Sequence, residues 1–137
     1  MNSPDGNIMA LDVGRSRIGV ALADPASGLP QPFGVIKTEE FETKIKNLIT
    51  DKDISAIVVG MPRGLDGQST EQTQYTQGFI ARLKSQVSLP LYEQDEALTS
   101  LKAEEELKAR KKPYAKADID ALAATYILDD FLKDQSL

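Results

Sequence analysis

The stretch from Ile8 to Asp24, Ile-Met-Ala-Leu-Asp-Val-Gly-Arg-Ser-Arg-Ile-Gly-Val-Ala-Leu-Ala-Asp, restricts the fold more than any other part of this chain. Two apolar runs, residues 8–13 and 18–23, have the length of strands, and the nearly continuous first one reads as a central strand covered on both faces. The short Gly-Arg-Ser-Arg connection between them permits only an antiparallel hairpin. One carboxylate, Asp12, stands near the end of the first run, where a core strand ordinarily carries an apolar side chain. An ionised group there is costly unless it is hydrogen-bonded, paired or bound to a metal, so Asp12 is the first candidate functional residue. The structural alternative is a hydrogen bond to the amides of the Gly14 turn.

The rest of the chain continues as α/β units. Residues 1–7 are polar and read as a loose terminus, and residues 33–37 supply a third strand of the meander. Phe41, Ile45, Leu48 and Ile49 recur at helical spacing over residues 38–52. A second covered strand, residues 54–60, then returns to the sheet by a parallel crossover. A Gly- and Pro-containing loop (61–70) precedes a helix over 70–86, whose apolar stripe is Tyr75, Phe79, Leu83 and Val87. Residues 89–94 form the last strand, stopping at Asp95-Glu96; helices over 98–109 and 118–132 flank a basic loop. The order β-β-β-α-β-α-β-α-α predicts one α/β domain over residues 1–137, antiparallel at first and parallel afterwards.

Composition removes whole classes of chemistry. The 137 residues contain no cysteine and no histidine, which excludes thiolate chemistry and removes the commonest general base and zinc ligand. Catalysis must run on carboxylates, hydroxyls, lysine or arginine. The net charge of −5 opposes indiscriminate binding to nucleic acid, so phosphate contacts have to come from local basic patches. Arg15 with Arg17 is one, and the run from Lys108 through Lys111 and Lys112 to Lys116 is another. No apolar run approaches the ~20 residues that span a bilayer, and the start lacks the features of a signal peptide, so a cytoplasmic location without membrane contact is expected.

Three acidic positions fall where elements meet loops: Asp12, Asp95-Glu96, and Asp118-x-Asp120 at the opening of the last helix. With the first strand beside the fourth and the fourth beside the fifth, the C-terminal ends of these parallel strands share the edge at which open α/β sheets bind ligands. Carboxylates converging there would hold magnesium or manganese through oxygen. Asp118 has an alternative as the helix N-cap, and Asp120 as a first-turn acid favoured by the helix dipole. The 60–70 loop could cradle phosphate through its amides with Arg63 as anchor, or be turns alone.

Four ordered motifs carry a resemblance: Ala-Leu-Asp12-Val-Gly-Arg-Ser-Arg-Ile-Gly-Val-Ala, Val-Val-Gly60-Met-Pro62 with Asp66-Gly67, Asp95-Glu96-x-Leu-Thr99, and Asp118-Ile-Asp120-Ala-Leu-Ala-Ala. Over residues 8–132 the chain resembles the YqgF (RuvX) family, described as Holliday-junction resolvases and as nucleases that mature the 5′ end of pre-16S ribosomal RNA. The resemblance implies a ribonuclease H-like mixed five-stranded sheet, order 3-2-1-4-5 with strand 2 antiparallel, flanked by helices. It implies a magnesium- or manganese-dependent nuclease whose catalytic and metal-binding carboxylates are Asp12, Glu96 and Asp120, with Asp95 and Asp118 as neighbours of open role. Arg15, Arg17, Arg63, Lys111 and Lys112 are the expected nucleic-acid contacts. The expected substrate is an rRNA precursor or branched DNA, and the expected state is a monomer or weak homodimer. Ala97 departs from the Asp-Glu-Arg that the family usually carries here, which leaves Arg63 or Lys102 to take the arginine's place. It is also the hint for an alternative of another class, a non-catalytic nucleic-acid-binding or regulatory protein.

Overall fold

Two hydrophobic layers on a central sheet follow directly from the alternation of side chains along its strands. The computed structural model describes residues 6–63, 67–96 and 99–135. β1 (Asn7–Val13) and β2 (Arg17–Ala23) form the expected hairpin, with Asp12 opposite Gly19. β3 (Gln31–Lys37) extends the meander, and a single 3-10 turn at Thr38–Glu40 leads into α1 (Phe41–Asp51). β4 (Ile54–Pro62) then pairs parallel to β1, and α2 (Glu71–Lys84) connects it to β5 (Leu91–Glu96), parallel to β4. α3 (Thr99–Ala109) and α4 (Lys116–Gln135) complete the described chain. The sheet order is β3-β2-β1-β4-β5, with β2 antiparallel to both neighbours, as expected.

Element boundaries shift by up to three residues from expectation, and three of the shifts have a plain physical cause. Residue 7 is not loose: Asn7 opens β1, donating its amide to Asp53 O at 2.8 Å and its side-chain amide to Lys52 O at 2.7 Å; residues 1–5 lie outside the described residues. β5 sits two residues later than its apolar content suggested, because an edge strand needs no continuous apolar run; Asp95 and Glu96 are therefore within it, opposite Met61 and Pro62. α4 begins at Lys116, so Asp118 is its third residue rather than its cap. The Asp118 carboxylate folds back to accept the amide of Ala115 at 2.8 Å, half of a capping box.

On one face of the sheet, Met9, Leu11, Ile18, Val20, Ile57, Val59 and Met61 pack against Phe41, Ile45, Phe79, Ile80 and Leu83 of α1 and α2. Each of these large side chains, fully buried, contributes about 1.5–3 kcal/mol. The stripe expected for α2 is incomplete: Thr73 and Thr76 are fully buried as well. Thr73 is masked by its polarity, since its hydroxyl donates to Pro62 O and completes a capping box with Thr70.

The other face is built from small residues. Ala10, Ala21 and Ala23 with Val58 receive Ala124, Ile127, Leu128 and Phe131 of α4. A side chain at Gly19 would overlap the backbone carbonyl of Asp120, and one at Gly60 would meet the Ile127 side chain. The helix thus lies close against β2 and β1, with its Asp120–Ala121 peptide directly over Gly19. No helix among the described residues is long and apolar enough to cross a membrane.

These two glycines should respond differently to substitution. Gly19→Ala forces backbone apart from backbone and should cost ~3 kcal/mol or more, whereas at Gly60→Ala the flexible Ile127 tip can yield and the cost should stay near ~1–3 kcal/mol. Urea denaturation of both variants checks the order.

Candidate active site

The β1–β2 turn is fastened before any ligand arrives. Gly14 donates its amide to Arg17 O at 2.9 Å, and a Cβ at Gly14 would lie 2.6 Å from that same oxygen, so only glycine closes the turn without a clash. Thr38 donates its hydroxyl to Gly14 O at 2.7 Å and its amide to Ser16 O at 3.0 Å, and Gln72 of α2 donates to Val13 O at 2.9 Å. Above this turn lies a cavity of about 520 Å³ at the C-terminal ends of β1, β4 and β5. Asp12, Glu96 and Asp120 all line it, as do Arg15, Arg17, Arg63 and Gln72.

Asp12 points from the small-residue face of β1 toward the first turns of α4. Burial raises its carboxyl to about 6, and the neighbouring charge of Asp120 adds to the shift. Asp120 accepts Arg17 Nε at 2.6 Å, so Arg17 is paired across the cavity with the helix carboxylate rather than with Asp12. Glu96 is pushed up to about 8, first by burial, then by a hydrogen bond with Asp130 and the charges of Asp130 and Asp134, opposed by Lys102. One of its oxygens, Oε1, is buried with no hydrogen-bond partner. Among the described residues no three acidic side chains stand close enough to cage an ion. The three carboxylates share the cavity walls, with Asp120 held by Arg17 and Glu96 by Asp130.

The structure separates the remaining candidates. Asp95, on the opposite face of β5 from Glu96, is exposed and accepts Arg63 Nε at 3.3 Å. It does not line the cavity, and neither does Asp118, whose carboxylate is used at the start of α4. Lys111 and Lys112 follow the end of α3, Lys111 with a positive φ of 57°, and Lys112 faces a separate pocket with Tyr114 and Asp118. Strand alternation and helix phase, which adjacency in sequence does not reveal, set Asp95 and Asp118 off the cavity, and Asp118 takes the helix-start role that the sequence also allowed. Ala97 and Asp66 lie outside the described residues. Sequence reasoning missed Gln72, an ordinary helix-surface residue by pattern, and Asp130, which meets Glu96 only because β5 crosses α4 ten residues beyond Asp120.

Comparison with known proteins places this geometry. The family model described as "RuvX: Holliday junction resolvase" matches residues 6–134. The chain belongs to the RuvX family. Among its relatives, a protein of Roseiflexus sp. (strain RS-1) named as a pre-16S rRNA nuclease is 39% identical, covering 98% of this chain and 99% of its own length. One from Synechocystis sp. with the same name is 37% identical over 90% of this chain and 85% of its own length. Solved structures give the fold. RuvC of T. thermophilus in complex with a Holliday junction substrate superposes with a TM-score of 0.57 at 14% identity, covering 94% of this chain and 95% of that one. The Fowlpox virus resolvase with Holliday junction DNA gives 0.55 at 12% identity, over 96% and 99%. The ribonuclease H-like fold expected for a RuvX protein is therefore the fold observed, and the chain is a nuclease by family.

The raised Asp12 carboxyl has a consequence for stability in a RuvX protein of this build. The native state holds the Asp12 proton up to about pH 6, while the unfolded chain releases it near the ordinary value of 3.8. Asp12 therefore costs stability progressively as the pH rises through that window. Asp12→Asn should be more stable than wild type by ~1–3 kcal/mol at pH 7, and the gap should close below about pH 4. Melting temperatures in metal-free buffer across that range check this.

Proposed function

We propose that this chain is a divalent-metal-dependent endonuclease that hydrolyses phosphodiester bonds of structured nucleic acid, processing the 5′ end of pre-16S rRNA. The observation that carries this reading is the placement of Asp12, Glu96 and Asp120 on the walls of one cavity floored by a pinned turn. The donor set fits magnesium or manganese: all three are hard oxygen ligands, and the chain has no histidine or cysteine to attract a softer metal. The buried, unpartnered Oε1 of Glu96 and the raised Asp12 carboxyl are both features that a cation relieves. Asp12 and Asp120 would hold it, with Glu96 joining on release from Asp130.

When bound, the ion supplies Lewis acidity for the phosphodiester and lowers the pKa of an attacking water. The protein's own groups orient the substrate. Arg17 would turn from Asp120 to meet a phosphate oxygen, and Arg63 on the same wall would turn from Asp95 to meet a second. Planar guanidinium groups suit such paired contacts. The family model's own description favours a second reading, a Holliday junction resolvase on DNA, with the same site and chemistry. A junction resolvase would act as a symmetric dimer, whereas rRNA processing is compatible with a monomer. The protein would work in the cytoplasm with its nucleic-acid substrate.

Three carboxamide variants test the reading. Asp12→Asn, Glu96→Gln and Asp120→Asn should each lower cleavage of a precursor-rRNA fragment by ~100-fold or more while remaining folded. Manganese titration by calorimetry should show binding to wild type and its loss in Asp12→Asn. Full cleavage by that variant, or no metal binding at millimolar manganese, would overturn the assignment.

A further inference from the structure

Of the three arginines that line the cavity, two are neutralised: Arg17 by Asp120 and Arg63 by Asp95. Arg15 is held differently. Among the described residues no carboxylate pairs with it; instead its guanidinium carbon stands 4.5 Å from the centroid of the Tyr75 ring. Arg15 is exposed at the tip of a turn that Thr38 and Gln72 pin in place, and Tyr75 is half-buried, packed against the hydrophobic core. The ring is therefore rooted, and the guanidinium sits over it on a side chain that stays exposed. Beyond Tyr75 a second groove, about 290 Å³, runs between the 3-10 turn and α2, lined by Thr38, Gln74, Tyr75 and Gly78. At Gly78 a Cβ would meet nothing within 4 Å, so the groove is open there. Arg15 borders the carboxylate cavity and Tyr75 borders the groove, so the stacked pair bridges the two.

We propose that Arg15, held on Tyr75, is a stacking shelf for an unpaired nucleobase next to the scissile phosphate, and that the substrate class is nucleic acid with a single-stranded flank leading into the Tyr75–Gly78 groove. A planar cation with one face on an aromatic ring and the other in solvent suits the face of a base, which is how unpaired nucleotides are recognised on guanidinium planes. A paired nucleotide offers no free face there. Arg15 is the group that touches the base, and Tyr75 is a positioning residue that acts through it. The proposal rests on the nuclease reading only for the position of the scissile phosphate.

The test is a binding measurement in the Asp12→Asn background, so that it stands apart from cleavage. The probes are a blunt RNA duplex and the same duplex with a 3′ or a 5′ single-stranded overhang, with 2-aminopurine stepped along the overhang. Arg15→Lys, which keeps the charge and loses the plane, should weaken overhang binding ~5- to 100-fold, leave the blunt duplex within ~2-fold, and keep the slope of affinity against salt. It should also abolish the 2-aminopurine quenching at one overhang position. Tyr75→Leu should behave like Arg15→Lys, and Tyr75→Phe should behave like the parent, a rescue that a merely structural role of the hydroxyl would not produce. Equal losses on blunt and overhang probes, or unchanged affinity in Arg15→Lys, would overturn the shelf and make Arg15 a phosphate contact. If Tyr75→Leu fails to fold, the exposed Arg15→Lys and the Tyr75→Phe rescue still decide. Loss of cleavage in the wild type with an intact overhang preference would sink the nuclease reading and leave the shelf standing.

Discussion

The approach of α4 to the sheet governs the rest of the molecule. A helix packs at a distance set by the side chains between it and its neighbour, and here the sheet offers Gly19, Ala10, Ala21 and Gly60 at the contact. The result is a helix whose first turns rest on the backbone of β2, carrying Asp120 into the electrostatic range of Asp12. Larger residues on that face would lift the helix and part the two carboxylates, without disturbing the large-residue layer under α1 and α2. The two faces of the sheet thus differ in what they contribute, since one supplies most of the burial and the other sets a separation.

That separation creates a charge problem which the surrounding residues handle in three ways. Asp120 is neutralised by Arg17, Glu96 shares a hydrogen bond with Asp130, and Asp12 is left with a carboxyl that resists ionisation. All three arrangements are made by side chains rather than by backbone. The same acids would be a pure liability in a core with no ligand to meet them.

Much of this was legible in the sequence. The hairpin and the candidacy of Asp12 follow from apolar runs, a short turn and a misplaced acid, all local signals, whereas the strand order comes with the family resemblance. Glu96 and Asp120 became candidates through ordered motifs and fall on the cavity, whereas Asp95 and Asp118, their close neighbours in the chain, do not. The difference is phase: on an edge strand adjacent residues face opposite ways, and at a helix start each residue back is a turn of about 100°. The polarity of β5 hid its true span, so its phase could not be read. Gln72, Tyr75 and Asp130 were invisible as site residues because their partners, Val13, Arg15 and Glu96, lie 34 to 60 positions away in the chain.

The fastening of the β1–β2 turn has a further bearing on how the molecule fails. Val13, Gly14 and Ser16 are tied to Gln72 on one helix and to Thr38 ahead of another. The turn cannot loosen locally while those elements stay docked, and its order is inherited from the whole α1–α2 layer rather than from its own residues. Binding at the cavity then needs little additional immobilisation of backbone, whose freezing costs ~1–2 kcal/mol per residue elsewhere. Conversely, damage to the far layer, at a residue remote from every carboxylate, should reach the cavity as lost order before it reaches the sheet as lost structure.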